Sequence, residues 1–382
     1  MRYSSPWHVG QNEESRLMRE FVAFTIKEFH HILRDPRTML ILLVMPVVLV
    51  ASIVFAGLSS LGQGRGDDFK RSPVAILDFS RDEASRALTE RLAASEYFEV
   101  YGWVESREAG EALLRQGKAR LLVVFPPGFS GDDISSIQLL TDATDPNEAT
   151  QLASYCQAIL MMEKGNEARL GATTTLLYNP QMRGAYNFVP GVMGLILILI
   201  CAMMTSVGIV REKEIGTMEV LLVSPLKPIY IILAKMVPYL LLSLVNIATI
   251  LALSYFLLDV PIRGSLALLI LISVLYAIVS LCLGLLISTV ADTQQAAMLV
   301  SGIALMLPII LLSGMMFPVE NMPWPLRWLS NIVPAKWYIM AVKDVMIKGL
   351  PWTALLDKIG ILSLMIVVLV GISVRRFKVR LS

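Results

Sequence analysis

The chain has 382 residues, of which 55% are hydrophobic and only 17% are charged. An ordinary globular chain is about 25% charged, so this composition argues against a succession of soluble domains and favours a membrane protein. The formal net charge is only +2, and no basic cluster with interleaved aromatic residues occurs. These features exclude a nucleic-acid partner.

The charges are unevenly distributed along the chain. Residues 62–187 carry 18 of the 31 acidic residues but only 13 of the 33 basic ones. The rest of the chain is therefore basic overall. Such asymmetry indicates that the two parts have different surroundings.

Histidine and cysteine usage excludes several kinds of chemistry. The three histidines all precede the first apolar run, which excludes a histidine-based catalytic or zinc site within the membrane. The three cysteines are too few and too scattered for a disulfide framework. We therefore predict neither catalytic residues nor a metal site in this chain.

Residues 1–38 are predicted to form a cytoplasmic arm with an amphipathic helix. Phe21, Val22 and Phe29 fall on one helical face, whereas Arg19 and Lys27 lie mainly on the other. This pattern is typical of a helix lying at the inner membrane surface, although a helix packed on a partner protein fits almost as well. The apolar run that follows has about the 20 residues needed to cross hydrocarbon. Residues 39–61 are therefore expected to contain the first transmembrane helix.

Residues 62–187 are predicted to form an α/β domain, because short apolar runs alternate with helical segments. The expected strands are 74–79, 97–103, 121–125 and 137–140. The expected helices are 80–94, 106–115 and 147–170. No phosphate-binding glycine pattern or other catalytic motif lies within this domain.

Residues 188–382 are predicted to contain five further spans without a charged side chain in their interiors. These apolar runs are Phe188–Val210, Met236–Leu258, Ser265–Val290, Ala296–Phe317 and Ile359–Val374. Lysine and arginine are enriched in the arm, in the loop after the second span and in the C-terminal tail, and such residues favour the cytoplasmic side. We therefore predict a membrane all-α fold with six transmembrane helices, both termini cytoplasmic, and an inserted extracytoplasmic α/β domain.

Residues 318–352 hold four of the six tryptophans, namely Trp324, Trp328, Trp337 and Trp352. Tryptophan concentrates at the depth of lipid headgroups. The segment is therefore expected to form an outer interfacial hairpin that anchors the chain in the membrane.

The chain lacks a recognisable energy source. Its sole Gly-Lys pair, Gly117-Lys118, is followed by alanine, so no phosphate-binding loop of the ATPase type is present. The charge-free spans also lack the ionisable groups on which proton relays depend. Energy for uphill transport would have to come from a separate protein.

The cytoplasmic loop 211–229 is the expected point of attachment for such a protein. Charged residues leave the membrane at Arg211, and a Gly-Thr pair can then start a short helix that Ser224-Pro225 ends. Met218, Leu221 and Leu222 share one face of that helix. A helix of this length is unstable alone and needs a surface to pack against.

Four separated motifs resemble those of the ABC-2 family of bacterial ABC-transporter permeases. Arg211 to Pro225 looks like the family's signature loop, and Lys27 to Thr38 resembles its approach to the first span. Tyr178-Asn179-Pro180 leading to Gly191 looks like the re-entry from the outer domain, and Phe317 to Pro323 resembles the outer hairpin. The resemblance covers residues 17–380 and is strongest to the branch with a large extracytoplasmic domain between the first two spans, often described as multidrug exporters.

This resemblance implies a half-transporter in a bacterial cytoplasmic (inner) membrane. Its implied partners are cytoplasmic ATP-binding subunits, a second permease chain, identical or related, and the surrounding lipid bilayer. A periplasmic adaptor is a further partner that the branch allows. No cofactor is expected in this chain, because ATP and Mg would be bound by the partner subunits.

Two sets of functional residues are expected. The predicted ATPase-coupling surface comprises Glu212, Lys213, Glu214, Gly216, Thr217, Glu219, Leu221, Leu222, Ser224 and Pro225. The predicted substrate path, between the second and fifth spans, has as its few polar groups Ser243, Asn246, Thr249, Ser280, Ser301 and Ser313. For each polar residue of the path, a role in helix packing is the alternative.

Three functions fit these features. The first is export of an amphiphilic or apolar substrate, driven by ATP hydrolysis in separate subunits. The second is mechanotransmission, in which the ATPase moves the outer domain so that it acts on a periplasmic or outer-leaflet partner. The third is a membrane sensor with an external ligand-binding domain, which the lack of a cytoplasmic catalytic domain disfavours.

Overall fold

A computed structural model gives the architecture of the chain. It describes residues 71–129, 137–161, 173–180, 184–216, 228–319 and 322–379, together with isolated residues between 19 and 34. Every described residue between 19 and 34 is helical, and the His30 ring nitrogen lies 2.9 Å from the Ile26 carbonyl oxygen. The predicted first span, within 39–61, lies outside the described residues.

A five-stranded mixed sheet forms the centre of the α/β domain. Its strands are β1 (Ser72–Asp78), β2 (Phe98–Trp103), β3 (Leu121–Phe125), β4 (Gln138–Asp142) and β5 (Thr173–Leu177), in the spatial order β2-β1-β3-β4-β5. Only the β3–β4 pair is antiparallel. The parallel pairs explain why helices separate most of these strands, since a parallel connection has to cross a face of the sheet.

Helices cover both faces of this sheet. They are α1 (Glu83–Ala94), α2 (Arg107–Arg115) and α3 (Pro146–Met161). Leu88 of α1 and Leu152 of α3 pack on one face, whereas Leu114 of α2 packs on the other. Each of the first two helices begins with a side-chain cap, from Asp82 and Ser106 respectively, as their sequences favour.

The structure adds one strand that the sequence did not predict. β5 has the sequence TTTLL, whose first three residues are polar, so it lacks the apolar run by which the other strands were found. Threonine is nevertheless a good strand former because its branched side chain packs well on a pleated surface. β5 lies at the edge of the sheet, beside β4.

Five helices among the described residues are long and apolar enough to cross a membrane. Three of them are α4 (Ala185–Ile215), α5 (Pro228–Phe256) and α6 (Leu266–Val290). The fourth is built from α7 (Gln294–Leu299), a π-helical segment (Val300–Ala304) and α8 (Leu305–Leu312). The fifth contains a 3₁₀ turn (Trp352–Leu355) and α11 (Leu356–Val379). Between the last two lie α9 (Trp324–Ser330) and α10 (Pro334–Met346).

Two predicted spans differ from the helices observed. The run Ala296–Phe317 is not one regular helix, because it contains the π segment and its helix stops at Leu312, shortly before Gly314 takes a left-handed conformation with a φ of 82°. The last span is longer than the 16-residue run Ile359–Val374, since α11 has 24 residues. Lys358 pairs with Asp344 at its start, so charged residues are accommodated within the helix.

The predicted interfacial hairpin consists of two unlike helices. In α9, the side chains of Trp324 and Trp328 are exposed, as expected of an interfacial element. In contrast, α10 is buried in the bundle, where Tyr338 stacks on Tyr276 of α6 with ring centroids 4.2 Å apart. Contacts with α4 and α6 cover the apolar face of α10, and the interfacial position of the hairpin stays a prediction.

α4 lies at the centre of the membrane bundle. Its backbone approaches α6 so closely that a Cβ atom at Gly284 would lie 2.5 Å from the Ala202 carbonyl oxygen. The Tyr276 hydroxyl of α6 donates a hydrogen bond to the Gly194 carbonyl of α4, at 3.0 Å. Small residues thus allow two spans to pack backbone against backbone.

We expect Gly284→Val to destabilise the bundle by about 1–3 kcal/mol, because the added side chain would push α6 away from α4. The melting temperature of the detergent-solubilised protein measures the effect. Gly371→Ala is the matched control, since a Cβ there meets no atom within 4 Å. An equal melting temperature for Gly284→Val and the wild type would contradict the close α4–α6 packing.

Candidate functional site

The predicted ATPase-coupling surface begins on the last turns of α4. The charged residues Arg211 to Glu214 belong to this helix, which continues as far as Ile215. The helix ends at Gly216, which has a φ of 75° and donates its N–H to the Lys213 carbonyl at 3.2 Å. Glycine is the residue best suited to this left-handed helix end.

Two contacts attach this end of α4 to the turn between α6 and α7. The Lys213 ammonium donates a hydrogen bond to the Ser288 carbonyl near the end of α6. The Glu214 carboxylate accepts the backbone N–H and the side-chain amide of Gln294, the first residue of α7. A displacement of the α4 end would therefore also displace the ends of α6 and α7.

The other predicted coupling residues, Thr217, Glu219, Leu221, Leu222, Ser224 and Pro225, lie outside the described residues. Of the described ones, Glu212 and Lys213 are half-buried, and Glu214 and Gly216 are exposed. Their role in coupling stays a prediction.

Most polar groups of the predicted substrate path bond within their own helix. Each donates to a backbone carbonyl three or four residues earlier, and these donors are Ser243, Asn246, Thr249, Ser280 and Ser313. Ser301, in the π segment, instead lies with its hydroxyl oxygen 2.8 Å from that of Ser206 in α4. Among the described hydrogen bonds, none joins two of the six predicted residues. A substrate path through them stays a prediction.

A buried ion pair joins the α/β domain to the membrane bundle. The Lys348 ammonium, in the turn after α10, lies 2.7 Å from a carboxylate oxygen of Asp142, at the end of β4. Only 8% of the lysine side chain and 4% of the aspartate side chain are exposed. The other Asp142 oxygen accepts the backbone N–H and the hydroxyl of Thr144. Both charged groups are therefore paired inside the protein.

A second element of the domain contacts the same turn. Arg115, the last residue of α2, donates hydrogen bonds to the carbonyls of Lys348 and Gly349, at 3.0 and 2.9 Å. On the bundle side, Asp344 lies 3.8 Å from the Lys348 ammonium and 3.3 Å from that of Lys358. We call Asp142, Arg115, Lys348, Asp344 and Lys358 the junction cluster.

Sequence reasoning missed the junction cluster. Arg115 and Lys348 are 233 positions apart, and neither belongs to a recognisable motif. An acidic residue at the end of a strand, as at Asp142, was the one local signal, but it does not specify a partner. Only the packing of the domain on the bundle brings these groups together.

The environment shifts the pKa values of both buried partners towards the charged forms. Burial by itself raises the pKa of the Asp142 carboxyl, but attraction by Lys348 and hydrogen bonds from Lys348 and Thr144 outweigh it, so the pKa lies below its ordinary value. Burial by itself lowers the pKa of the Lys348 ammonium, but Asp142 and Asp344 outweigh it, so that pKa lies above its ordinary value. The pair therefore remains ionised at neutral pH.

The model of the ABC-2 family of transporter proteins matches residues 36–375 of this sequence. The chain belongs to the ABC-2 family. This confirms the resemblance drawn from the four motifs, and the five apolar helices agree with a multi-pass membrane protein.

Curated relatives are similar over most of their length. The probable multidrug ABC transporter permease YbhS of Escherichia coli (strain K12) is 30% identical over 95% of this chain and 98% of its own. The probable multidrug ABC transporter permease YbhR of the same organism is 32% identical over 84% of this chain and 88% of its own. The inner membrane transport permease YhhJ, also from this strain, is 27% identical over 87% and 90% respectively.

Asp142→Asn should reduce stability at neutral pH, because breaking a buried pair by removing one charge costs about 3–5 kcal/mol. A carboxyl with a lowered pKa stabilises the fold above its unfolded-state pKa, near 3.8, and the effect is lost as the pH falls through the folded-state value. The melting-temperature difference between wild type and Asp142→Asn should thus be constant from about pH 5 to 9 and shrink in acid.

Arg107→Gln is the matched control for this pH series. It breaks the exposed Arg107–Glu111 pair on α2, and an exposed pair of this kind contributes little to stability. A difference for Asp142→Asn that grew as the pH fell would contradict the ionised pair.

Proposed function

We propose that this chain is the permease subunit of an ATP-binding-cassette exporter that moves an amphiphilic or apolar substrate outward across a bacterial cytoplasmic membrane. The match of the ABC-2 family model to residues 36–375 carries this proposal. The names of YbhS and YbhR, both probable multidrug permeases, support the class of substrate. The apolar, charge-free interiors of the spans suit such a cargo better than a small ion.

The proposed topology has six spans, with both termini in the cytoplasm and the α/β domain outside. Five of the six correspond to the apolar helices of the described residues, and residues 39–61 would supply the first. The distribution of lysine and arginine supports the orientation. In this orientation the exposed tryptophans of α9 lie at the outer membrane surface.

The energy would come from cytoplasmic subunits that bind ATP and Mg. The relatives YbhS and YbhR are named as ABC transporter permeases, which supports this division of labour. A second permease chain would complete the transporter, and a periplasmic adaptor is a further proposed partner.

The proposed coupling route starts in the loop after α4. A push on this loop reaches the last turns of α4 directly, and the contacts of Lys213 and Glu214 transfer it to α6 and α7. The spans could then shift as rigid rods, since helices move as units in such transitions.

We expect the double variant Leu221→Asp, Leu222→Asp to uncouple ATP hydrolysis from transport, because carboxylates would replace the apolar contact with the ATPase. Reconstituted vesicles containing the permease and its ATP-binding subunits measure both rates. Transport of an amphiphilic dye should fall at least tenfold, while membrane insertion stays normal.

The double variant Leu221→Met, Leu222→Met is the control, because it keeps the face apolar and should retain transport. Full transport by the aspartate variant would show that this face does not couple the two proteins.

Mechanotransmission is the second candidate, and the junction cluster favours it. A domain held to the bundle by a buried ion pair and two further hydrogen bonds is built to follow movements of the spans. The two functions predict different results in sealed vesicles. ATP-dependent accumulation of cargo supports export, whereas ATP-dependent movement of the α/β domain without cargo flux supports mechanotransmission.

A further inference from the structure

The turn after α10 is the place where the α/β domain and the membrane bundle are joined. Two elements of the domain, the end of β4 and the end of α2, contact it through Asp142 and Arg115. The turn is compact, since Gly349 has a φ of 63° and Leu350 donates its N–H back to the Asp344 carbonyl at 2.9 Å. A side chain at position 349 would be strained in this conformation and would meet Arg263 at 3.3 Å.

α10 connects this turn firmly to the two central spans. The Tyr338 hydroxyl lies 2.9 Å from the Ser273 hydroxyl of α6, and its ring stacks on Tyr276. The Lys343 ammonium donates to the side-chain carbonyl of Asn187 in the first turn of α4. The side-chain nitrogen of Asn187 donates a hydrogen bond to the Met315 carbonyl, at 3.4 Å. Buried polar contacts of this kind hold their partners in one arrangement.

α4 then spans the distance to the proposed coupling loop. Its 31 residues make a rod about 46 Å long. One end contacts α10 through Asn187, and the other carries Lys213 and Glu214 beside α6 and α7. α4 therefore contacts α10, which leads into the Lys348 turn, and also contacts the cytoplasmic ends of α6 and α7.

We propose that the contacts of Asp142 and Arg115 with the Lys348 turn form a clamp that makes the α/β domain and α10 one rigid body, so that movement of α4 at its cytoplasmic end moves the whole domain. In this arrangement Asp142, Arg115 and Lys348 are positioning residues that touch no substrate. The inference rests on the proposed function only for the source of the movement. The clamp itself is a property of the chain without nucleotide.

Spin-label distances in the full-length chain test the clamp. The three native cysteines are buried, so labels attach at introduced cysteines. Glu90 in α1 and Thr353 at the start of the last span are both exposed, and each is replaced by cysteine. The pair Glu90–Thr353 reports whether the domain is held on the bundle. We expect one narrow distance distribution without nucleotide.

Lys348→Met should broaden the Glu90–Thr353 distribution at least twofold, because Asp142 is then left without its cation in a buried place. Lys348→Arg keeps the charge and should restore most of the narrow distribution. Arg115→Gln keeps the buried pair and should broaden the distribution less, which provides a test if Lys348→Met fails to fold. Arg107→Gln, on the same helix, is the control and should leave the distribution unchanged.

A second pair of distances follows the movement when ATP-binding subunits and ATP are added. An exposed label at Gln295 marks the cytoplasmic end of the bundle. In the otherwise unsubstituted chain, the Gln295–Thr353 distance should change with ATP while the Glu90–Thr353 distance stays constant. In the Arg115→Gln and Lys348→Met variants, addition of ATP should change the Glu90–Thr353 distance or broaden its distribution further.

Two results would overturn the clamp. One is a Glu90–Thr353 distribution that stays narrow in both Lys348→Met and Arg115→Gln. The other is a Glu90–Thr353 distance that changes with ATP as much as the Gln295–Thr353 distance does in the otherwise unsubstituted chain. A Gln295–Thr353 distance that does not change when ATP is added would instead contradict the proposed function. The measurements without nucleotide would still test whether the clamp exists.

Discussion

A lipid bilayer offers no water to a polar group, so every backbone and side-chain donor within the spans needs a partner inside the protein. In the described spans most buried hydroxyls bond within one helix, as those of Ser243 and Ser280 do, whereas the buried hydroxyls of Thr205 and Ser373 have no partner. Few polar contacts between helices then remain, and those of Ser206, Tyr276 and Tyr338 involve the central helices α4, α6 and α10. Helices whose hydroxyls bond internally depend less on polar contacts with their neighbours.

In the junction cluster, by contrast, buried charged groups are paired by contacts between distant parts of the chain. The Lys348 ammonium and the Asp142 carboxylate pair across distant parts of the chain. Separating them would leave the buried Asp142 carboxylate without Lys348, and would leave Lys348 with only the more distant carboxylate of Asp344. The penalty for separation makes this contact selective for one arrangement of domain and bundle. The domain therefore cannot easily separate from α10.

This contrast bears on how an ABC-2 chain could use energy supplied by another protein. α4 passes through the centre of the bundle, and its two ends lie beside α6–α7 and beside α10. Force applied at the Lys213–Glu214 end of α4 has a short route through packed helices to the turn that holds the α/β domain. The same structure is therefore compatible with both proposed functions, passage of a substrate between the spans and movement of the domain.

Composition and periodicity alone determined much of this protein. The apolar runs predicted α4, α5 and α6 closely, and the strand at 121–125 was placed correctly, because long apolar stretches and buried strands depend on local sequence. The motif 211–225 identified the family that the comparison confirmed. By contrast, the polar strand β5, the burial of α10 and the π segment were not predicted. Only tertiary structure decided these, and it alone paired Asp142 with Lys348, because a contact between distant residues depends on how whole elements pack and leaves no periodic signal in the chain.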